Sequence, residues 1–211
     1  MRLFAAVWPP DEVLDHLDLA LAAVRGASAG ADWRPIRWSA RETWHLTLAF
    51  YGTVPEGDVP ALVEGLVLAA HAAEPYELRL RGAGVFAHRT LWAGVAGDLG
   101  AHRALTRACG QAGEAVGTPP DLRVRERPHV TIGRAAPGGG PVRRPQTLRG
   151  GRADRVGASG SDVADALVSA LAVYEGPPWT VASLALVESV PGAGRGGGPL
   201  YTRVEQLSIG V

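Results

Sequence analysis

Two short segments carry the same pattern. Trp44-His45-Leu46-Thr47-Leu48 and Pro128-His129-Val130-Thr131-Ile132 both read His-x-Thr-x, with an apolar residue at each x. Side chains in a β-strand alternate faces, so His and Thr point one way and the apolar residues point the other. Each segment would present one imidazole and one hydroxyl on one face and anchor its other face in a core. Two imidazoles can divide proton transfer between them, one taking and one giving, while two hydroxyls hold phosphoryl oxygens. That is equipment for phosphate ester chemistry. A third match, His88-Arg89-Thr90-Leu91, has arginine at its first x position and lies between two apolar runs. It reads as a hairpin turn. A lone histidine on a half-buried strand is commonly structural, and the repetition in matched apolar context is what argues for chemistry.

Both segments need strands to carry them, and the surrounding pattern supplies a mixed chain. Leu3 to Trp8 reads as a strand. Pro9-Pro10-Asp11-Glu12 opens a helix with proline and acids at its N-terminus, as the dipole prefers, and Gly26 ends it. Arg37 to Ser39 is a short strand, and His45 to Tyr51 is the first motif strand, closed by Gly52. Gly57 to Ala73 is helical, with Leu62, Val63, Leu66, Val67 and Ala70 on one face. Tyr76 to Phe86 and Leu91 to Val95 form a hairpin about Ala87-His88-Arg89. Asp98 to Val116 is a helix, stopped by Gly117-Thr118-Pro119-Pro120, and Arg123 to Arg134 carries the second motif. Ser161 to Val173 is helical, and Val181 to Ser189 and Leu200 to Leu207 are the last strands. The two halves run alike, a weak internal repeat consistent with two lobes about a pseudo-twofold axis.

Composition limits the partners. Net charge is zero over 211 residues, so no global field draws in a long nucleic-acid duplex, while a small nucleotide or an RNA terminus in a local pocket is allowed. All 21 cationic residues are arginine, which reads as codon bias. Cys109, the sole cysteine, excludes an internal disulfide and reads as a small buried residue of the third helix. No Cys/His cluster has metal-ligand spacing, so neither metal nor cofactor is expected. Pro9-Pro10 cuts the apolar N-terminal run too short for a signal peptide, and nothing is long enough to span a membrane. A cytoplasmic monomer is the expectation.

With these motifs the chain resembles the 2H phosphoesterases, and among them the RNA 2′,3′-cyclic phosphodiesterases, also called 2′-5′ RNA ligases. The resemblance extends from Met1–Pro10 through Ile36-Arg37-Trp38 and Glu42–Gly52 to the Gly84-Val85-Phe86 and Leu91–Val95 hairpin. It continues in Arg127–Arg134, Leu186–Ser189 and Tyr201, and fails between about residues 137 and 160. It implies an α+β, bilobal LigT-like fold: two antiparallel sheets with outer helices around a central cleft, in a single domain over 1–211. The implied reaction is metal-independent hydrolysis of a 2′,3′-cyclic phosphate, on an RNA 3′ end or a small nucleotide, to a 2′-phosphate. His45 would serve the leaving 3′-oxygen and His129 the water. Thr47 and Thr131 would donate to the non-bridging oxygens, and Arg134 would face the phosphate. Phe50 or Tyr51 is a candidate for stacking on the terminal base, while Trp8, Trp38, Trp44 and Trp92 read as core. The same histidines would serve ATP-independent 2′-5′ ligation, and an RNA-end binder without catalysis is the third alternative. Pro137 to Gly160, with seven Gly, three Pro and five Arg against one acid, reads as a flexible insertion; the alternative is an arginine-rich flap on RNA phosphates.

Overall fold

A computed structural model describes residues 1–27, 36–87, 89–120, 127–135 and 160–211, with side chains left undescribed at 26, 27 and 160–164. The expected insertion at 137–160 and the strand start at 123–126 lie outside the described residues, apart from Gly160.

Alternation builds the frame. Strands β1 (Arg2–Val7), β3 (Leu46–Thr53), β8 (Ser183–Val190) and β9 (Leu200–Ser208) make one lobe. Strands β4 (Tyr76–Phe86), β5 (Thr90–Gly97), β6 (His129–Ala135) and β7 (Glu175–Val181) make the other. The order is β7-β4-β5-β6-β3-β1-β8-β9, all neighbours being antiparallel, and short β2 (Ile36–Trp38) pairs with β6. The two expected sheets are thus two four-strand halves of one curled sheet, joined at the β3–β6 seam by the pair Leu46↔Val130. Counted outwards from that seam, β6 answers to β3, β5 to β1, β4 to β8 and β7 to β9, the strand order expected of a pseudo-twofold. The lobes are not the two halves of the chain, because β8 and β9 return to the N-terminal strand.

Helices α1 (Asp11–Ala27), α2 (Val59–His71), α3 (Leu99–Ala115) and α4 (Gly160–Ala170) bury their apolar stripes on one side of this sheet. Leu14, Leu17 and Leu21 of α1, Leu62 and Leu66 of α2, Leu105 and Cys109 of α3 and Leu167 of α4 join Leu3, Leu46, Leu48, Leu78, Leu91, Val130 and Ile132 in the main core. Cys109 is wholly buried, and burial pushes its thiol up to about 12, so it is a packing residue as expected. No described helix is long and apolar enough to cross a membrane.

Strand β7 went unexpected because Pro177-Pro178 interrupts its sequence. Proline removes a ladder donor, but β7 is an edge strand, where one side of the ladder is unpaired. The other edge, β9, is mostly exposed and carries Arg203, Glu205 and Gln206, charged and polar groups that discourage pairing with another chain.

Candidate active site

The apolar residues of both motifs lie in the core: Leu46, Leu48, Val130 and Ile132 are all at most 1% exposed. Alternation then turns His45, Thr47, His129 and Thr131, all half-buried, to the opposite face. The pair Leu46↔Val130 sets Thr47 across from His129 and His45 across from Thr131. The two histidines are therefore diagonal neighbours across the seam, a relation that separates backbones by about 7–8 Å.

Both imidazoles are held in the same way. His45 Nδ1 donates to the Thr43 carbonyl (2.7 Å) and His129 Nδ1 donates to the Arg127 carbonyl (2.9 Å). A carbonyl only accepts, so each Nδ1 carries a proton and Nε2 is the nitrogen left to gain or lose one. The bond also orients each ring from two residues upstream. The approach to His45 is itself fixed: Arg41 reaches back to Asp11 Oδ1 (3.0 Å), the Asp11 carbonyl (3.0 Å) and Asp15 Oδ1 (2.5 Å) at the start of α1.

A bulge follows each threonine. Pairing runs Ala6↔Thr47 then Ala5↔Ala49, and Trp92↔Thr131 then Leu91↔Gly133, so Leu48 and Ile132 are the extra residues. Strict alternation would put a residue five after each histidine in the core. The bulge returns it to the histidine face, and the residues so placed are Phe50 and Arg134. Arg134 is exposed there, paired with Thr90 and Arg37 on its flanking strands. Burial raises the pKa of the Tyr201 hydroxyl, and the charges of Arg134 and Arg2 oppose that rise, which places both guanidiniums near the phenol.

Aromatic rings wall each imidazole. The His45 ring lies 5.0 Å from Phe4, 4.9 Å from Trp8 and 5.3 Å from Tyr201, centroid to centroid. Phe4, Ala6, Ala185 and Val187 with Trp8, Phe50 and Tyr201 form a second, smaller core cluster with no helical member. The His129 ring lies 4.8 Å from Phe86 and 6.1 Å from Trp92, which stack on each other. Trp8 and Trp92 thus correct the expectation that they are core: both line the motif face, because Trp8 follows the last residue of β1 and Trp92 pairs with Thr131. Trp44 is core as expected, and Trp38 is half-buried with the Arg25 guanidinium 3.8 Å over its ring. Tyr51 is corrected as a stacking candidate. It is 3% exposed on the helix side, with its hydroxyl donating to the Cys109 carbonyl at 3.0 Å. Phe50 remains on the motif face, with the Arg2 guanidinium 4.9 Å over its ring.

Trp92 lies flat because Gly84 and Gly94 leave room. A Cβ at Gly84 would come within 2.1 Å of Trp92 Cζ2, and one at Gly94 within 3.2 Å of Cζ3. We expect Gly84→Ala to displace the indole and to destabilise the fold by about 1–3 kcal/mol, the usual cost of overpacking. A urea unfolding midpoint unchanged from that of the parent would refute this contact.

One buried residue escaped the sequence reading. His102 of α3 is 2% exposed, its Nδ1 hydrogen-bonds the Tyr76 hydroxyl (2.9 Å), and burial lowers its pKa to about 4. With Thr47, Thr106, Arg103, Arg127, Pro128 and His129 it lines a cavity of about 20 Å³ at the seam, the size of one water. Its signal was the buried stripe His102, Leu105, Cys109, Ala112 at helical spacing. Among the described residues, no group of three or more His, Cys, Asp or Glu converges in a way that could hold a metal.

Solved structures share this fold. Over essentially its whole length the chain superposes on a Thermus thermophilus protein (TM-score 0.67, 24% identity, 100% of this chain and 98% of that one). It also superposes on Escherichia coli LigT in apo form (TM-score 0.62, 20% identity, 99% and 96%). The fold is LigT-like. Residues 7–96 match the family described as LigT like phosphoesterase, a stretch that includes His45 and Thr47. Among curated relatives, RNA 2′,3′-cyclic phosphodiesterase of Geobacillus stearothermophilus is 36% identical over 116 residues, 53% of this chain and 36% of that one. The Methanothermobacter thermautotrophicus protein of the same name is 30% identical over 99 residues, 45% of this chain and 51% of that one. The match thus spans about half or less of the length of these relatives. E. coli LigT has also been crystallised with 3′-AMP; this LigT-like chain aligns with that complex at TM-score 0.65 and 19% identity, covering 99% of this chain and 97% of that one. The resemblance read from the sequence is matched in the N-terminal stretch 7–96, which holds the first motif, and in the LigT-like fold.

Proposed function

We propose that the chain hydrolyses 2′,3′-cyclic phosphates on RNA 3′ ends or nucleotides to 2′-phosphates. The observation that carries this reading is the paired geometry. Two imidazoles, each with Nδ1 tied to the carbonyl two residues upstream, share one sheet face beside two threonine hydroxyls. The names of the curated relatives and the nucleotide bound to E. coli LigT support it.

In the proposed step, His129 enters neutral and His45 charged. His129 Nε2 takes a proton from water as the water oxygen bonds to phosphorus. The bond from phosphorus to the 3′-oxygen breaks, and His45 Nε2 gives that oxygen its proton. The histidines end with exchanged protonation states, restored through solvent. Thr47 and Thr131 donate to the non-bridging oxygens, and the Arg134 guanidinium offsets phosphate charge as a planar donor. Phe50 offers a stacking face to the base. The strained ring leaves the protein mainly positioning and proton transfer to supply. One chain contributes both motifs, so it works as a single two-lobed unit and a monomer suffices.

Adenosine, guanosine, cytidine and uridine 2′,3′-cyclic phosphates should all be opened, with the 2′-phosphate assigned by phosphorus NMR. Excess EDTA should leave the rate unchanged, since no proposed step uses a metal. A 3′-phosphate product would reverse the assignment of the leaving oxygen. Absence of turnover on the nucleotides and on cyclic-phosphate oligomers would refute the hydrolytic reading.

A further inference from the structure

Beside His129 lies a groove of about 590 Å³ that the chemistry above does not use. Its floor is apolar: Trp92, Gly94 and Val95 from β5 with Leu99 from the start of α3. Its cations are Arg81, Arg103 and Arg127. Arg103, Arg127 and Pro128 also line the small cavity containing His129 and Thr47, so groove and motif face are continuous. The volume falls in the ~300–1,000 Å³ range of small-molecule sites.

No described acid lines the groove. Asp98 caps α3 by accepting from the Ala101 N–H (2.9 Å), while Glu175 binds Arg79 at 3.0 Å and also pairs with Arg81 at 3.7 Å, offsetting part of that charge. In a chain of zero net charge, three guanidiniums over an apolar floor make a local field for anions. Arginine also matches phosphate in a planar, two-point fashion.

The pseudo-twofold counterpart is electrostatically different. There β1 leads into α1 as β5 leads into α3. The first turn of α1 carries Asp11 and Glu12, and Asp11 and Asp15 neutralise Arg41. The start of α1 therefore has no counterpart to the arginines that line the groove at the start of α3.

We propose that this groove binds the RNA chain on the 5′ side of the reacting terminus, with a base on Trp92 and Val95 and phosphates on Arg81, Arg103 and Arg127. The inference rests on the functional reading, which places the cyclic phosphate between the histidines. That phosphate closes the 3′ end, so every other phosphate lies upstream, and a second cationic site continuous with the first serves that chain.

The test uses equilibrium binding as well as turnover. A 5′-fluorescein RNA pentamer ending in a 3′-phosphate reads affinity by anisotropy across a salt series. The double variant Arg81→Gln/Arg103→Gln should weaken it about 10-fold at 0.1 M salt and flatten the slope of log K against log salt by up to about 1.4, or ~0.7 per lost phosphate contact. Arg107→Gln, an exposed arginine of α3 outside the groove, should change neither. Turnover of 2′,3′-cyclic AMP should stay within about twofold for Arg107→Gln. Unchanged pentamer affinity in the double variant, or an equal loss from Arg107→Gln, would overturn the groove. A wild-type protein that binds the pentamer through these arginines yet opens no cyclic phosphate would support the groove and refute the hydrolytic reading.

Discussion

Replacing either His45 or His129 with alanine is expected to lower kcat by at least about 10²-fold, the scale of a single acid or base. Asparagine is the sharper substitution. Its side-chain amide can still donate to the Thr43 or Arg127 carbonyl, so the tether is kept while Nε2 is lost. If the proton-transferring atom is Nε2, His45→Asn and His129→Asn should be as slow as the alanine variants. Each should also be the more stable of its pair, by about 0.5–1.5 kcal/mol for the retained hydrogen bond. The two histidines act in one step, so the double variant should lose less than the product of the single losses. Single-turnover kinetics with a cyclic-phosphate oligomer would read the chemical step alone. Wild-type-like turnover in either asparagine variant would remove that histidine from the mechanism.

The motif strands were legible because period-two patterning is strong where one face is buried. Leu46, Leu48, Val130 and Ile132 named the core face, and hence the histidine face, without any coordinates. What alternation could not show were the bulges. By simple counting Phe50 and Arg134 belong to the core side, and only a register shift one residue after each threonine brings them back. A bulge depends on which residue of the neighbouring strand pairs where, and no local pattern encodes that. The same limit applies to topology. Nothing near Leu186 announces that β8 pairs with β1, and so a repeat in the chain was read as the division between lobes. Trp8 and Trp92 were misjudged for a related reason. Large aromatics are usually buried, yet here they wall a cleft, one resting on a glycine, Gly84, that reads from sequence as part of an ordinary hairpin.

The symmetric strand order also bears on how a near-symmetric pair of motifs would perform the proposed asymmetric reaction. Both histidines have the same tether and a threonine across the seam, but Phe4, Trp8 and Tyr201 wall His45 while Phe86 and Trp92 wall His129. The positions five residues on differ, with phenylalanine after His45 and arginine after His129. The flanks differ too, being acidic at the start of α1 and arginine-lined at the start of α3. Under the proposed reaction the two roles would be told apart by these surroundings rather than by the tethers, which are alike.

His102 gives a prediction about stability rather than catalysis. Its ordinary pKa of 6.5 falls to about 4 in the fold, because burial disfavours the imidazolium and the Arg103 charge adds to that. Below the ordinary value the unfolded chain takes up a proton at this residue and the folded chain does not. Stability contributed by neutral His102 is thus intact above about pH 6.5 and is lost as pH falls towards about 4. A difference of about 2.5 units corresponds to about 3 kcal/mol. That is a large share of the ~5–15 kcal/mol that holds a domain folded. Asparagine at 102 cannot titrate, and it keeps an atom near the Nδ1 position for the Tyr76 hydroxyl. His102→Asn should therefore be the less stable protein at pH 7.5, through lost packing, and should lose about 3 kcal/mol less than the parent on going to pH 4. Urea unfolding of both proteins at half-unit pH intervals measures the difference directly, since the carboxylates common to both cancel. Parallel stability curves would mean that His102 takes up its proton equally in the folded and unfolded chains. In that case the burial that closes the seam behind Thr47 and His129 would not exist in solution.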